Sequence, residues 1–263
     1  MTSRAGFRPE TLVAIEAVER ALELARGRVG ASDIELKGPR DLVTATDVAV
    51  EDAVRGILGQ ALSFPVVGEE GGGNASGDGS AYWLVDPICG TRNFASGIPL
   101  YSVNIALVED ERVALAAVGD PSTGEIYVAE QGIGAWALTD HEPRRLQTSD
   151  ESETIIIEDS HNDPEPDRRE RAANSVASAI RAFRWEIRAL STSLGLAYVA
   201  AGRVSAYVLF SASALHVGAG SLLAAEASAT VSDIDGRPWT IHSDSIVASA
   251  TPALHGELLA LAA

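Results

Sequence analysis

The chain is poor in the residue types that build disulfides, membrane spans and basic surfaces. Its 263 residues include one cysteine and one methionine, and Lys37 is its single lysine. One cysteine excludes an internal disulfide and a structural zinc site of the multi-cysteine kind. No run of about 18 apolar residues is present, so we expect no membrane helix. The N-terminal segment lacks the apolar stretch of a signal peptide, and we expect a cytoplasmic protein.

Positive charge is also scarce, and this limits the expected partners. The formal net charge is -17 and the pI is about 4.6. A field of this sign repels nucleic acid and anionic membranes, so neither is expected as a partner. A phosphorylated small molecule would need local compensation from metal ions, backbone N–H groups or basic side chains. The 46% hydrophobic content supports a sizeable core, in one large domain or two joined halves.

The first third of the chain predicts two helices and a buried strand. Apolar spacing indicates helices over 9–28 and 47–62, the second with Thr46 and Asp47 as capping residues. Residues 64–67 are predicted as a strand. The glycine-rich residues 71–80 are predicted as a mobile surface loop.

The remainder predicts a layered α/β protein. Strand-like segments separated by short turns indicate an antiparallel meander, over 102–108, 112–118, 125–129 and 135–138. Charge and proline at 163–171 indicate a junction between an N-terminal half, 1–160, carrying most metal-site motifs, and a C-terminal half, 161–263, completing the site. The last third alternates helix and strand, with helices at 193–202, 216–227 and 251–263 and a strand at 205–210.

Acidic residues cluster at the ends of predicted elements, in DLVTATD (Asp41, Asp47), VVGEE (Glu69, Glu70) and VDPICGT (Asp86). Hard cations such as Mg²⁺ take oxygen ligands, and phosphoryl-transfer sites collect carboxylates from separate strand ends. Gly90 and Thr91 follow at a helix start, where backbone N–H groups favour a phosphate, so both are candidate substrate-binding residues. Any one acid alone would more often be a solvated cap. Their combination predicts a metal-assisted phosphate site.

These motifs resemble, in order and spacing, those of the inositol monophosphatase family of metal-dependent small-molecule phosphatases. They are KGPRDLVTATD, VVGEE, WLVDPICGTRNF and ALHVGAGSLLAAEA, supported by STSLGLAYVAAGR and LHGELL, and the likeness runs from Leu12 to the C-terminus. The resemblance implies a five-layered αβαβα sandwich with its site between two halves. It also implies a small-molecule substrate and, often, a homodimer.

The resemblance further implies roles for individual residues. Glu69, Asp86 and the carbonyl of Ile88 would hold one Mg²⁺. Thr91 and Glu69 would activate the attacking water. The surrounding shell would be formed by the candidate catalytic residue Asp47 together with Glu70 and Lys37.

Four positions depart from the family pattern. The family's DPIDGT is DPICGT here, so Cys89 replaces an acid that binds the second metal ion. His216, in LHVGAG, replaces a further acid ligand of that ion. Leu209 stands where inositol phosphatases carry a glutamate for a sugar hydroxyl, and Leu190 where they carry a small glycine. The first two changes should weaken Mg²⁺ binding, and the other two predict a more apolar ligand than inositol phosphate.

Three interpretations of Cys89 and His216 remain open. Thiolate and imidazole beside Asp86 would suit Zn²⁺ or another softer ion. Alternatively, they would form a nucleophilic or acid–base pair in a non-hydrolytic enzyme, such as an isomerase or cyclase of specialised metabolism. In the third they are relaxed substitutions, and the protein binds a ligand without catalysis or metal. The leading hypothesis is slow, metal-assisted phosphoester hydrolysis of a small, relatively apolar metabolite.

Overall fold

The structure is a computed structural model that describes residues 6–30, 33–38, 41–74, 81–139, 142–158 and 165–262. Within those residues the helices are α1 (Pro9–Arg26), α2 (Ala45–Ala61), α3 (Thr91–Ala95), α4 (Pro166–Ala182), α5 (Leu194–Ala200), α6 (Ala214–Glu226) and α7 (Pro252–Ala262). The strands are β1 (Ile34–Gly38), β2 (Asp41–Thr44), β3 (Val66–Gly68), β4 (Tyr82–Cys89), β5 (Ser102–Glu109), β6 (Arg112–Gly119), β7 (Ile126–Glu130), β8 (Gly134–Leu138), β9 (Arg144–Arg145), β10 (Thr154–Glu158), β11 (Glu186–Arg188), β12 (Ala206–Leu209), β13 (Thr230–Ser232) and β14 (Ile246–Ser249).

These elements form five layers. Helices α1 and α2 cover the outer face of a seven-stranded sheet of order β3-β4-β5-β6-β7-β8-β9. Helices α5 and α6 lie between that sheet and a five-stranded sheet of order β11-β10-β12-β14-β13. Helices α4 and α7 cover the far side of the second sheet. The predicted αβαβα sandwich is therefore confirmed.

The central strands of the larger sheet are buried on both faces. Strands β5, β6, β7 and β8 pair antiparallel in sequence order, so the predicted meander is confirmed. Nearly every residue of β4 to β7 is buried, because helices pack against both faces of the sheet. This explains why these segments read as continuous apolar runs rather than as an alternation of apolar and polar residues.

Helix α2 starts earlier than the sequence predicts. The cap is Thr44, whose hydroxyl oxygen accepts hydrogen bonds from the backbone N–H groups of Thr46 and Asp47. Asp47 completes a capping box by accepting a hydrogen bond from the Thr44 backbone at 3.0 Å. Thr46 is thus the second residue of the helix and not its cap, while Asp47 keeps a capping role from inside the first turn.

Other boundaries differ in ways that follow from local chemistry. Helix α4 begins at Pro166, inside the segment predicted as a junction, because a proline is well suited to the first position of a helix. The first part of the predicted junction lies within residues 159–164, which are outside the described residues. The same holds for residues 75–80 of the predicted loop. The division at residue 160 stays a prediction, although β10, which precedes it, belongs to the second sheet.

The last third follows the predicted alternation, with α5, β12, α6 and α7 close to their predicted places. The β1–β2 hairpin and strands β10, β11, β13 and β14 were not predicted, because each is short and lacks a clear alternation of apolar and polar residues. Among the described helices, none combines the length and the apolar character that crossing a membrane requires.

Candidate active site

A bulge in strand β4 creates the centre of the site. Asp86 pairs with Asn104 on β5, and Cys89 pairs with Ser102, so three steps on β4 match two steps on β5. Pro87 lies inside this irregular stretch and has no N–H to give to the ladder. In a regular strand, residues three apart point to opposite faces, but the extra residue of a bulge brings them to the same face. Asp86 and Cys89 therefore face one site.

The strand ends at Gly90, where the chain turns sharply into α3. Its φ of +112° lies in the left-handed region that favours glycine. A Cβ there would lie 3.2 Å from the carbonyl oxygens of Leu100 and Ser191 and from the Cβ of Thr192. Glycine is needed at this turn for both reasons.

The first turn of α6 brings His216 to Asp86. The ring Nδ1 of His216 lies 2.9 Å from Oδ2 of Asp86, which is fully buried, while the His216 side chain is half-exposed. Burial alone would lower the pKa of His216, but its hydrogen bonds to Asp86 and Cys89 outweigh burial and raise the pKa well above the usual value. Pairing with Asp86 therefore favours the protonated imidazole.

The thiol of Cys89 is buried and is held by Ser193. The Sγ atom accepts hydrogen bonds from the Ser193 backbone N–H at 3.2 Å and from the Ser193 hydroxyl at 3.0 Å. Burial, followed by the negative charge of Asp86, raises the pKa of this thiol. The possible ligand atoms of Asp86, Cys89 and His216 all lie within 4.8 Å of one another, so the predicted proximity of these three residues is confirmed.

The other oxygen of Asp86 has a different environment. Oδ1 is buried and makes no hydrogen bond within the part of the chain that the structure describes. A buried carboxylate oxygen left in this way costs about 1–3 kcal/mol or more, unless a ligand satisfies it. A cation bound beside Oδ1 would satisfy this atom.

Glu69 and Glu70 follow strand β3 and border the same centre. The Lys37 ammonium lies 2.5 Å from a Glu70 oxygen and 3.6 Å from a Glu69 oxygen. Burial, followed by the charge of Asp86, raises the pKa of Glu69 to about 8. Lys37 and His216 oppose this rise without cancelling it, and a cation bound nearby would lower the pKa of Glu69 further.

The turn that carries Glu69 and Glu70 is fixed by a residue that the sequence did not single out. The Glu51 carboxylate in α2 is almost fully buried and accepts hydrogen bonds from the backbone N–H groups of Glu70 at 2.7 Å and Gly71 at 2.8 Å. Arg55 pairs with the same carboxylate at 2.8 Å. In the sequence, Glu51 is one acid in the helix whose start carries Asp47. An acid in a helix is too common a feature to indicate a role.

Thr91 is positioned by Asp47 across the site. The Thr91 hydroxyl oxygen lies 3.2 Å from Oδ1 of Asp47 and 3.0 Å from the carbonyl oxygen of Ile88, and the hydroxyl donates to these two acceptors. The second Asp47 oxygen is occupied by the Thr44 hydroxyl at 2.5 Å. Burial raises the pKa of Asp47, and the hydrogen bonds from Thr44 oppose this rise. The predicted residues Asp47, Ile88 and Thr91 are therefore brought together.

The two leucines expected to line the substrate pocket are partly buried and pack on one apolar cluster in the second sheet. The backbone N–H of Leu190 donates to Glu158 at 2.8 Å, and its carbonyl accepts from Asn93 at 2.7 Å. The left-handed backbone that would favour glycine is at Ser191, with φ of +54°. That Leu190 stands at the family's glycine stays a prediction, and Leu209 is the last residue of β12, one residue before the predicted end of this strand.

Not every predicted acid can be placed. The side chain of Asp41 lies outside the described part of the chain, so its relation to the site stays a prediction. Sequence reasoning also missed Ser193 and Asn104, whose amide donates to the Ser193 hydroxyl oxygen at 2.9 Å.

Comparison with known proteins gives consistent matches across the chain. A family model described as the inositol monophosphatase family matches residues 8–263. An inositol-1-monophosphatase from Mesorhizobium japonicum is 33% identical over 87% of this chain and 86% of its own. A Nus factor SuhB from Pseudomonas aeruginosa is 34% identical over 93% of both chains. A histidinol-phosphatase from Mycobacterium tuberculosis is 32% identical over 95% of this chain and 94% of its own.

A solved structure has the same fold. The extragenic suppressor protein suhB from Bartonella henselae matches with a TM-score of 0.86 and 25% identity, over 97% of this chain and 98% of that one. The fold and the order of elements that position the candidate site are thus shared with it.

Proposed function

Because the chain belongs to the inositol monophosphatase family, we propose that it hydrolyses the phosphoester of a small, relatively apolar metabolite with the help of a divalent cation. Glu69, Asp86 and the carbonyl of Ile88 would hold this cation. Mg²⁺ is the expected ion at this position because all three donors are oxygen atoms. The neighbouring position, bordered by Cys89 and His216, would suit a softer ion.

The observation that carries the proposal is the buried Asp86 oxygen without a hydrogen-bond partner among the described residues. Most buried side-chain oxygens in folded proteins have a hydrogen-bond partner, so an oxygen without one is a sign of a bound ligand. Nearby, burial and the charge of Asp86 raise the pKa of Glu69 to about 8, and Lys37 at 3.6 Å offsets this rise only in part. Both observations support a cation between these acids.

When bound, the cation would supply Lewis-acid polarisation of the phosphate. The chain's own residues would do the rest. The Thr91 hydroxyl, held by Asp47, would orient the attacking water, and Glu69 would take up its proton. Backbone N–H groups of Gly90 and Thr91 would hold phosphate oxygens, and since α3 has five residues, individual N–H groups would matter more than a helix dipole.

The substrate class follows from the leucines and the relatives. Leu209 offers no acceptor for a sugar hydroxyl, so a substrate less polar than inositol phosphate is favoured. Two relatives of similar identity are named for different substrates, inositol-1-monophosphate and histidinol phosphate, so likeness alone does not select one. We further propose a cytoplasmic homodimer that binds neither nucleic acid nor membrane, on the resemblance and on the net charge of -17.

One observation favours a second candidate, a non-hydrolytic enzyme using Cys89 and His216. His216 is hydrogen-bonded to Asp86 and lies beside a thiol, which is the order of groups in cysteine-dependent catalysis. The raised pKa of Cys89 counts against it, because a thiol is a much weaker nucleophile than a thiolate. Hydrolysis is therefore the first choice.

Phosphate release from a panel of phosphomonoesters, with Mg²⁺ or Mn²⁺, tests the proposal. We expect feeble activity on inositol monophosphate and higher activity on an amphipathic or apolar phosphomonoester, abolished by Glu69→Gln. Glu23→Gln, an exposed acid in α1, is the matched control and should change nothing. No cation-dependent release from any phosphomonoester would overturn the proposal, and full inositol monophosphatase activity would overturn its substrate class.

A further inference from the structure

We propose that Asp86, Cys89 and His216 form a binding site for one soft divalent ion of the Zn²⁺ type, and that Ser193 orients the Cys89 sulfur toward it. The proposal deepens the proposed hydrolase, on whose site it rests, by assigning the ion at the second position. Ion binding can nevertheless be measured without turnover.

The donor set selects the ion. One carboxylate, one thiol and one imidazole are available, whereas Mg²⁺ requires oxygen ligands in nearly ideal octahedral geometry. Zn²⁺ binds sulfur and nitrogen at about 2.3 and 2.0–2.1 Å, which places tetrahedral ligand atoms about 3.3–3.6 Å apart. The three ligand atoms here lie within 4.8 Å, and His216 Nδ1 is 2.9 Å from Asp86 Oδ2. Side-chain shifts of about 1 Å or less would bring them to these separations.

The buried Asp86 oxygen, which also supports the proposed hydrolase, is a second sign that this carboxylate binds a ligand. Asp86 is fully buried, and its Oδ1 has no partner among the described residues. An ion that takes the place of the proton between His216 and Asp86 would bind to the carboxylate group of Asp86. Three protein ligands, with the half-exposed His216 on the open side, leave a fourth position for substrate or water, as in catalytic rather than structural sites.

Ser193 supplies the outer contacts that a sulfur ligand needs. Both its N–H and its hydroxyl donate to Cys89 Sγ. The amide of Asn104 donates to the Ser193 oxygen at 2.9 Å, so the hydroxyl hydrogen is left to point at sulfur. Asn104 also reaches the His216 carbonyl at 3.4 Å and thus contacts the backbone of a second ligand. Outer partners of this kind orient ligands and typically change metal affinity by about 10–100-fold.

Coordination keeps charge and protons in balance. The Cys89 thiol proton and the proton shared by His216 and Asp86 pass to the buffer, and the ion takes their place. The bound thiolate and carboxylate then neutralise the two charges of the ion. No oxidant or reductant is required.

Co²⁺ titration of the metal-free full-length protein is the test, because Co²⁺ substitutes for Zn²⁺ and gives an absorption band when bound to thiolate. We expect a near-ultraviolet sulfur-to-cobalt band that saturates at one ion per chain, is displaced by Zn²⁺ and is insensitive to Mg²⁺. Cys89→Ser should abolish the band, since the chain has no other thiol. His216→Asn should weaken binding, while His242→Asn, an exposed histidine elsewhere, is the matched control.

The role of Ser193 is tested by the band position and the Co²⁺ affinity of two Ser193 variants. Ser193→Ala should shift the band and weaken Co²⁺ binding by ~10-fold or more, whereas Ser193→Thr, which keeps a hydroxyl, should restore the band position. Unchanged affinity and spectrum in Ser193→Ala would remove Ser193 from the proposal. Far-UV circular dichroism and thermal unfolding verify that each variant is folded.

The proposed ion site can be tested on the wild-type protein alone. The absence of a sulfur-to-cobalt band at saturating Co²⁺ would overturn the proposal without any variant. The two proposals can also fail separately. A cobalt–thiolate band without phosphate release under any condition would support the soft-ion site and overturn the hydrolase. Mg²⁺-dependent phosphate release that is unchanged in Cys89→Ser, with no band, would do the reverse.

Discussion

The two sides of Asp86 differ in how their donor atoms are used by the protein. On the first side, Glu69 and the Ile88 carbonyl offer oxygen donors, and burial raises the pKa of Glu69 to about 8. Toward Cys89 and His216 the donors are sulfur and nitrogen, and both are held by hydrogen bonds. The proposed hard cation would balance the charge of the first side, whereas the donors of the second side are already hydrogen-bonded in the metal-free protein.

If the resemblance holds at these two positions, the contrast shows how the fold tolerates the loss of two acids. The replacement His216 pairs with Asp86, and the replacement Cys89 packs in the interior and accepts two hydrogen bonds. A buried charge that loses its partner is costly, commonly about 3–5 kcal/mol. Here the replacements reduce the negative charge of the site, so that Asp86 stays compensated on one side.

The largest effect should come from the residue that both sides share. Asp86→Asn should lower phosphate release by more than ~100-fold, beyond the loss that an outer contact gives, and should also weaken Co²⁺ binding. Phosphate-release kinetics and Co²⁺ titration measure the two losses on one preparation. If only one of them changes, the two sides do not depend on a common carboxylate and the comparison is wrong.

Restoring acids on the second side should make both sides alike. The double change Cys89→Asp with His216→Asp should raise Mg²⁺ affinity and inositol monophosphatase activity together, by at least ~10-fold, with smaller gains for each single change. Isothermal titration and steady-state assays provide the measurements. No gain in either quantity would show that the site has diverged beyond these two ligands.

A smaller effect should come from the support of the oxygen side. Glu51→Gln keeps the size of the side chain but weakens its hold on the N–H groups of Glu70 and Gly71. We expect a ~10-fold lower rate with Mg²⁺ and an unchanged cobalt–thiolate band, because Glu51 supports only one side. Glu23→Gln again serves as control. A loss of the band in Glu51→Gln would contradict this separation.

The smallest effect concerns stability and compares His216 with a histidine whose partners are neutral. His255 lies between the hydroxyls of Ser232 and Ser249, at 2.8 and 2.9 Å, and burial lowers its pKa. The unfolded chain therefore binds this proton more readily, and the contribution of His255 to stability is lost as pH falls below about 6.5. The pKa of His216 is raised by Asp86, so its contribution to stability is fully present below about pH 6.5. That contribution is lost as pH rises through the pKa of His216 in the folded protein.

Urea unfolding of the metal-free protein across mildly acidic to mildly basic pH can separate the two histidines. His255→Gln should flatten the fall in stability at acidic pH, and His216→Gln should flatten the fall at basic pH. If both variants changed the pH dependence of the unfolding free energy in the same direction, the hydrogen-bond partners of the two histidines would not explain their opposite pKa shifts.

Much of the layered fold was predictable because its signals are local or belong to long motifs. The meander β5 to β8, the helices α1, α2, α6 and α7, and the turn after β4 each carry an apolar pattern or a glycine at a turn. The missed helix α4 shows the limit, since the same proline and charges that suggested a junction also start an exposed helix.

The outer contacts of the site could not be predicted because they join distant segments. Cys89 and Ser193 are 104 residues apart in the chain, and Asn104 and Ser193 are 89 apart. A serine before a helix and an asparagine in a strand have many possible roles. The candidate ligand positions were predicted because the motif fixes them, but the residues that hold them in place are visible only in the folded chain.

The β4 bulge has a consequence for how this site can change over evolutionary time. Pro87 and the slipped register gather Asp86 and Cys89 on one face through the backbone, whatever side chain occupies position 89. The backbone therefore sets the direction in which residue 89 points, while a buried charge at that position still needs a partner. A lineage could exchange one donor atom for another by a single codon change and keep a folded protein while its chemistry is retuned.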